Sequence, residues 1–216
     1  HRQGCPVFVQ ITHAGPAHNP AWDGRQPMAP SAITPPAEAF MAISREMTLD
    51  EIEDLIDKFA QAALRVKTAG FDGVEIHGAH YALVNAFLSR YQNRRHDAYG
   101  CDSLENRARF PVEILKRIRD LVGYDFVVGI RMNGQEWGPN TATTLEEGIA
   151  FARMFELAGA DYLSVSGYGY GDFDHCALPD LVLYPQTPPA AREFARSIPS
   201  CALIPTAAAI KKAVSI

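Results

Sequence analysis

The sequence predicts an α/β protein built on a parallel sheet, and three observations carry that prediction. Short apolar runs of strand length alternate with longer amphipathic stretches at helical spacing. Two segments, AGFDGVEIHG (Ala69 to Gly78) and AGADYLSVSG (Ala158 to Gly167), repeat one order of parts: helix stop, Asp, strand, Gly. Polar residues with chemical potential gather where the apolar runs stop, which is where parallel α/β folds bind ligands. Because the runs are nearly all apolar, a sheet covered on both faces is expected.

The elements follow in order. Cys5 to Thr12, CPVFVQIT, reads as a buried strand ending in His13-Ala14-Gly15. Pro16 to Pro36 is rich in Pro, has no periodicity and reads as a long surface excursion. Thr48-Leu-Asp-Glu51 is a capping box, followed by an apolar stripe through Ile52, Leu55, Ile56, Phe59, Ala63 and Val66 that Gly70 ends. A strand from Asp72 to Ile76 comes next. Ser103 can cap a helix whose stripe runs through Phe110, Ile114, Ile118 and Leu121 until Gly123. Phe126 to Ile130 is a third strand, ending in Arg131. Thr144-Leu-Glu-Glu147 opens a helix that stops at Ala158-Gly159, and the strand Asp161 to Val165 leads into Ser166-Gly167. Thr206 to Ser215 is a last amphipathic helix.

Four strands are too few to close a (β/α)8 barrel, which takes eight strands and typically about 250 residues. The chain of 216 residues therefore reads as an incomplete piece of a TIM barrel, about four to five βα units, starting without Met and stopping before its next strand. A complete open α/β sheet is the competing architecture.

Composition narrows the function classes. An apolar share of 47% with 21% charged residues describes a globular protein, and a net charge of −5 with scattered Lys and Arg offers no face for nucleic acid. No apolar run approaches the roughly 20 residues that span a bilayer, and no signal-like leader opens the chain, so no membrane partner and a cytoplasmic location are expected. Cys5, Cys101, Cys176 and Cys201 form no C-x-x-C pair, which leaves free thiols rather than a zinc or cluster site.

His77 and His80 stand just past a strand. As neutral imidazoles they could donate hydrogen bonds to a carbonyl oxygen and polarise it, ligate a metal, or simply form a capping or core pair. Arg131, at the end of Gly-Ile-Arg, suits an anionic ligand or a ring that gains negative charge, or else an ion pair with Glu75 or Glu105. Glu75 reads as a buried partner for an Arg. Gln10 is an amide in an apolar strand and needs partners on backbone or ligand. Tyr81, Tyr168 and Tyr170 are candidate proton donors. A metal-dependent barrel hydrolase with His13, His77 and His80 as ligands is an alternative from another enzyme class.

These residues resemble the old yellow enzyme family, the flavin-dependent ene-reductases, and more closely its 2,4-dienoyl-CoA reductase branch. The resemblance runs from Val7 to the end and rests on FVQITHAG, AGFDGVEIHGAH, NAFLS with Asn93-Arg94-Arg95, YG with SLENRARF, and VGIR. It implies a (β/α)8 barrel, of which residues 1–216 lack the first and last strands, with FMN over its carboxyl face and NADH or NADPH as reductant. The implied substrate is an α,β-unsaturated carbonyl compound, an enone or enoyl thioester. Gln10 and Arg131 match positions that contact the flavin ring, Arg131 stabilising the negative charge of its reduced form. His77 and His80 match the pair that holds the substrate oxygen.

Three departures stand out. The family's proton donor is a Tyr two places after the second His; here that place is Ala82, and Tyr81 fills a position usually held by Gly. Tyr81, Tyr168 or water could deliver the proton, or the substrate could be an amine undergoing oxidation. Gly100-Cys101-Asp102-Ser103 is one residue longer than the family's Gly-Gly-Ser. The phosphate-gripping loops, and the iron-sulfur cluster and further domains of the dienoyl-CoA branch, fall outside these residues. The piece alone is expected to bind FMN poorly, and its two open sheet edges favour association, including as a homo-oligomer. A non-catalytic barrel remains a third reading.

Overall fold

The computed structural model describes residues 3–34, 42–137, 143–169 and 203–216 of the chain. Cys176, Cys201 and Tyr170 lie outside the described residues, as does the side chain of Tyr168. Four parallel strands make the main sheet in the order β1 (Phe8–Ile11), β4 (Gly73–Gly78), β5 (Val127–Trp137), β6 (Tyr162–Gly169). Each new strand is laid beside the one before it, with α1 (Leu49–Thr68), α3 (Leu104–Val122) and α4 (Leu145–Leu157) as crossovers. A short helix α2 (Leu83–Leu88) follows β4, and α5 (Leu203–Lys211) packs against β6 and α4. Among the described residues no helix is long and apolar enough to cross a membrane.

The helices start where their caps dictate. Thr48 and Thr144 each close a full capping box, with Glu51 and Glu147 reaching back to the cap nitrogen, and Ser103 accepts from the amide of Asn106. Each such cap contributes about 1 kcal/mol. Arg45 also donates to Glu51 and holds its carboxyl down at about 2.

The stripe from Ile52 to Val66 is buried as its spacing requires, against Phe110, Ile114 and Ile118 of α3 and the helix-facing side of the sheet. Leu121 departs from expectation: it is 38% exposed, and Val122 takes the inward place at the end of α3.

Among the described residues the two faces of the sheet differ. Val74 and Ile76 of β4 and Val128, Ile130 and Met132 of β5 are fully buried under the helices. Glu75, His77, Arg131, Tyr162 and Ser164 share the opposite, concave face and are half-buried. Alternation at period two was hidden because small and polar residues, not a regular series, occupy that face. Gly129 makes room there: a Cβ on it would come within 2.2 Å of the Tyr162 ring, which stacks on Phe8 at 5.8 Å.

The repeated helix-stop-Asp unit has a structural cause. Asp72 accepts the backbone N–H of Val7 at 2.6 Å and returns its own N–H to the carbonyl of that residue. Asp161 does the same with Val128, at 2.8 Å in each direction. Each Asp thus buttons an incoming strand to the start of its predecessor. Arg119, 4% exposed, adds a donor to Asp161 and to the carbonyls of Gly123, Phe126 and Gly159.

Other boundaries moved. The excursion after β1 holds a single-turn 3₁₀ helix (Gly15–Ala17) and a short strand β2 (Met28–Ala29) paired in parallel with β3 (Arg45–Glu46). β1 is shorter than Cys5 to Thr12, whereas β4, β5 and β6 all run past the points where their apolar runs stop. β5 continues to Trp137 because β6 pairs with it throughout, across one irregularity between Asn133 and Gln135.

Candidate active site

β4 carries His77 to the concave face, and the register sets it beside Arg131 of β5. His80 follows at the turn out of the strand with φ of +58°, a left-handed conformation unusual for a residue with a Cβ. Its backbone is clamped on both sides: its N–H donates to Asn133 Oδ1 at 3.2 Å, and its carbonyl accepts from Asn85 Nδ2 at 2.7 Å. Glu136, 4% exposed, accepts from Asn85 at 3.2 Å, from Asn133 at 3.1 Å and from the amide of Thr143 at 3.0 Å.

The two imidazoles lie 5.3 Å apart between centroids. Both rings are half-buried, so neither is a fully buried core residue among the described residues. His80 Nε2 lies 2.9 Å from Ser166 Oγ, and Arg131 Nη2 reaches the same oxygen at 3.5 Å. Burial, and next the Arg131 cation, push both histidines below their ordinary value, His80 to about 4. At neutral pH they are therefore uncharged hydrogen-bonding groups beside a permanent cation.

Among the described residues Arg131 makes no ion pair, so its pairing with Glu75 or Glu105 is overturned. Its Nε and His77 Nδ1 are buried without a hydrogen-bond partner. Native structures rarely leave such atoms unsatisfied, and both orphans belong to side chains on the concave face. Glu75 is not a partner for an Arg either. It accepts from Gln10 Nε2 at 2.5 Å and from the Tyr162 hydroxyl, whose titration is raised by burial first and then by this carboxylate. A carboxylate accepts only, so Gln10 turns its NH₂ toward Glu75 and its carbonyl outward.

Tyr81 is half-buried in the turn after His80, and Ala82 is the uncapped first flank of α2. His13 sits apart, with Nδ1 accepting from Gly15, in a pocket it shares with His18, Asp23 and Arg25. Among the described residues no three His, Cys, Asp or Glu side chains come together as a metal site, so the set His13, His77, His80 is not assembled.

Two motif arginines turn out to be fasteners. Arg107, 2% exposed, donates to the Leu88 carbonyl and to Glu147 and lies over the Phe151 ring at 5.0 Å. Arg95, 6% exposed, ties Asp97 to the carbonyls of Pro30 and Met47. Sequence reading missed Asn85, Asn133, Glu136 and Ser166. Its one available signal was the polar run Asn133-Gly-Gln-Glu136 a few residues beyond the apolar run of β5.

Residues 1–174 match the model of the NADH:flavin oxidoreductase / NADH oxidase family. The chain belongs to this family. It is thereby a stretch of the old yellow enzyme type of (β/α)8 barrel, and its four-stranded parallel sheet is part of that barrel wall. An NADH oxidase of Thermoanaerobacter brockii is 45% identical over 167 residues, covering 77% of this chain and 25% of the relative. An N,N-dimethylglycine/sarcosine dehydrogenase of Chromohalobacter salexigens is 38% identical over 173 residues, 78% of this chain and 24% of the relative. The structure of a 2-naphthoyl-CoA reductase in complex with 2-naphthoyl-CoA superposes with a TM-score of 0.73 at 31% identity, covering 91% of this chain and 31% of that one. The chain thus spans about a quarter of the length of the curated relatives it matches.

Membership of the NADH:flavin oxidoreductase family implies FMN, and the residues present fit a flavin ring. The orphaned Arg131 Nε is a donor suited to a ring edge that becomes negative. Gln10 offers an outward carbonyl and is preset by Glu75 on the same face.

Proposed function

We propose that the whole protein is an FMN-dependent NAD(P)H oxidoreductase that reduces the C=C bond of an α,β-unsaturated carbonyl compound, an enone or an enoyl thioester. The observation that carries this is the meeting of His77, His80 and Arg131 on one concave face, with both imidazoles neutral and two buried nitrogens lacking partners.

In this reading Gln10 and Arg131 hold the flavin ring, and Arg131 neutralises the charge of its reduced form. Bound FMN would supply hydride transfer from a reduced nicotinamide to the substrate. His77 and His80 donate to the substrate oxygen, drawing electron density from the β-carbon. A neutral imidazole still carries one N–H, and a preset donor aimed at the oxygen stabilises the charge that develops there. Tyr81, next to His80 in the turn, supplies the proton in place of the Tyr that Ala82 displaces.

A second reading, oxidation of an amine, is favoured by Ala82, since that chemistry needs no such donor, and by the similarity to an N,N-dimethylglycine/sarcosine dehydrogenase. Anaerobic titration of the full-length protein separates the two. Bleaching of flavin absorbance by NADH or NADPH, with recovery on adding 2-cyclohexenone or a 2-enoyl-CoA, supports the first. Bleaching by sarcosine or dimethylglycine supports the second. A colourless protein that takes up no added FMN rejects both.

A further inference from the structure

We propose that Ser166 is a positioning residue that holds the neutral His80 imidazole in the tautomer protonated at Nδ1. The assignment follows from counting protons on one oxygen. Ser166 Oγ has two neighbours: Arg131 Nη2 at 3.5 Å and His80 Nε2 at 2.9 Å. A guanidinium only donates, so the hydroxyl can face it only with its lone pairs. The contact is long, yet the field of the cation turns the hydroxyl dipole the same way, oxygen toward Arg131 and hydrogen away.

Ser166 is 4% exposed, and among the described residues its hydroxyl has no third partner. A buried O–H without an acceptor is costly. The acceptor within reach is His80 Nε2. If Nε2–H instead donated to Ser166, the oxygen would receive two hydrogens and its own would have none to bond to. Nε2 therefore accepts, and a neutral imidazole whose Nε2 accepts carries its proton on Nδ1.

The clamp on the His80 backbone by Asn133 and Asn85 completes the device, since it sets where the ring originates while Ser166 sets how it is protonated. For the reaction, the donor that His80 offers is then always the nitrogen turned away from Ser166. That kinetic consequence rests on the oxidoreductase reading above; the tautomer does not.

The test is ¹⁵N spectroscopy of the histidine side chains in the full-length protein, with His80 assigned from its loss in His80→Ala. The expected wild-type pattern has Nε2 in the unprotonated range and Nδ1 in the N–H range. Ser166→Ala should move both toward the tautomer average, and Ser166→Thr, which keeps the hydroxyl, should restore them. With an enone substrate Ser166→Ala should lower kcat on the order of tenfold, again restored by Thr. A protonated Nε2 in the wild-type protein overturns the proposal without any variant, and so does a pattern that Ser166→Ala leaves unchanged. If the protein carries no flavin, the function reading fails while the spectra still decide the tautomer.

Discussion

The backbone N–H of His80 donates to the side-chain oxygen of Asn133, 53 positions away and 3.2 Å distant. This bond helps hold a non-glycine residue at φ of +58°, a conformation that costs about 1–3 kcal/mol unless the surroundings impose it. Glu136 in turn orients Asn133 by accepting from its NH₂, which leaves Oδ1 for His80. Asn133→Ala strands the His80 amide and removes one donor from a buried carboxylate. It should destabilise by about 2–4 kcal/mol and lower turnover even where the protein remains folded. Chemical denaturation and steady-state kinetics of the same preparation read both effects.

Acid should weaken the site in a defined window. His80 is held at about 4 by burial, the Arg131 charge and His77, against an ordinary 6.5. Between those values the unfolded chain binds a proton that the native His80 refuses, so stability is fully present above 6.5 and falls as pH drops toward 4. A side-chain NMR titration of His80 should show its midpoint near 4. A midpoint at 6 or above would contradict the burial of this ring beside a cation.

Arg131→Met tests the cation directly. Without it the His80 midpoint should rise toward its ordinary value, since Arg131 is the second largest cause of the depression. On the proposed function, a reduced flavin loses a charge-assisted contact of about 1.5–3 kcal/mol, so its two-electron potential should fall by about 30–60 mV. Dye-equilibrated redox titration measures the second effect, and unchanged values of both would remove Arg131 from the site.

Arg107→Ala separates scaffold from chemistry. The side chain is 2% exposed and joins the end of α2 to the start of α4 through Leu88 and Glu147. Its loss leaves Glu147 short of a partner, although Arg90 still contacts that carboxylate. About 3–5 kcal/mol of stability should be lost, with the denaturation midpoint as readout. The Michaelis constant of the fraction that stays folded should change little, because Arg107 makes no contact with His77, His80 or Arg131.

Much of the architecture was legible in the chain. Both capping boxes, the Ser103 cap, the glycine stops and the Ile52 to Val66 stripe are where the sequence puts them, because each depends on residues within a turn or two of one another. The Asp of the repeated unit was visible as a repeat, but its role was not, since its partner lies near the start of a different strand. α2 escaped notice because all six of its residues are buried and leave no amphipathic pattern. Glu75 was misread for a related reason. Its position in β4 says that it needs a partner, whereas the register says that the partner is Gln10 and not an Arg.

By itself, then, the sequence determined the order of the four main strands and the long helices between them, the alternating βα plan, and the strands that carry His77 and Arg131. Those outcomes come from local periodicity and capping, which neighbours along the chain decide. Only the tertiary structure decided that His80 is clamped in a left-handed turn, that Ser166 sits between it and Arg131, and that the polar residues share one face. Such relations join residues as far as 86 positions apart, and they are set by parallel register and burial, which make a buried donor or acceptor seek whatever partner the fold brings within 3 Å or so.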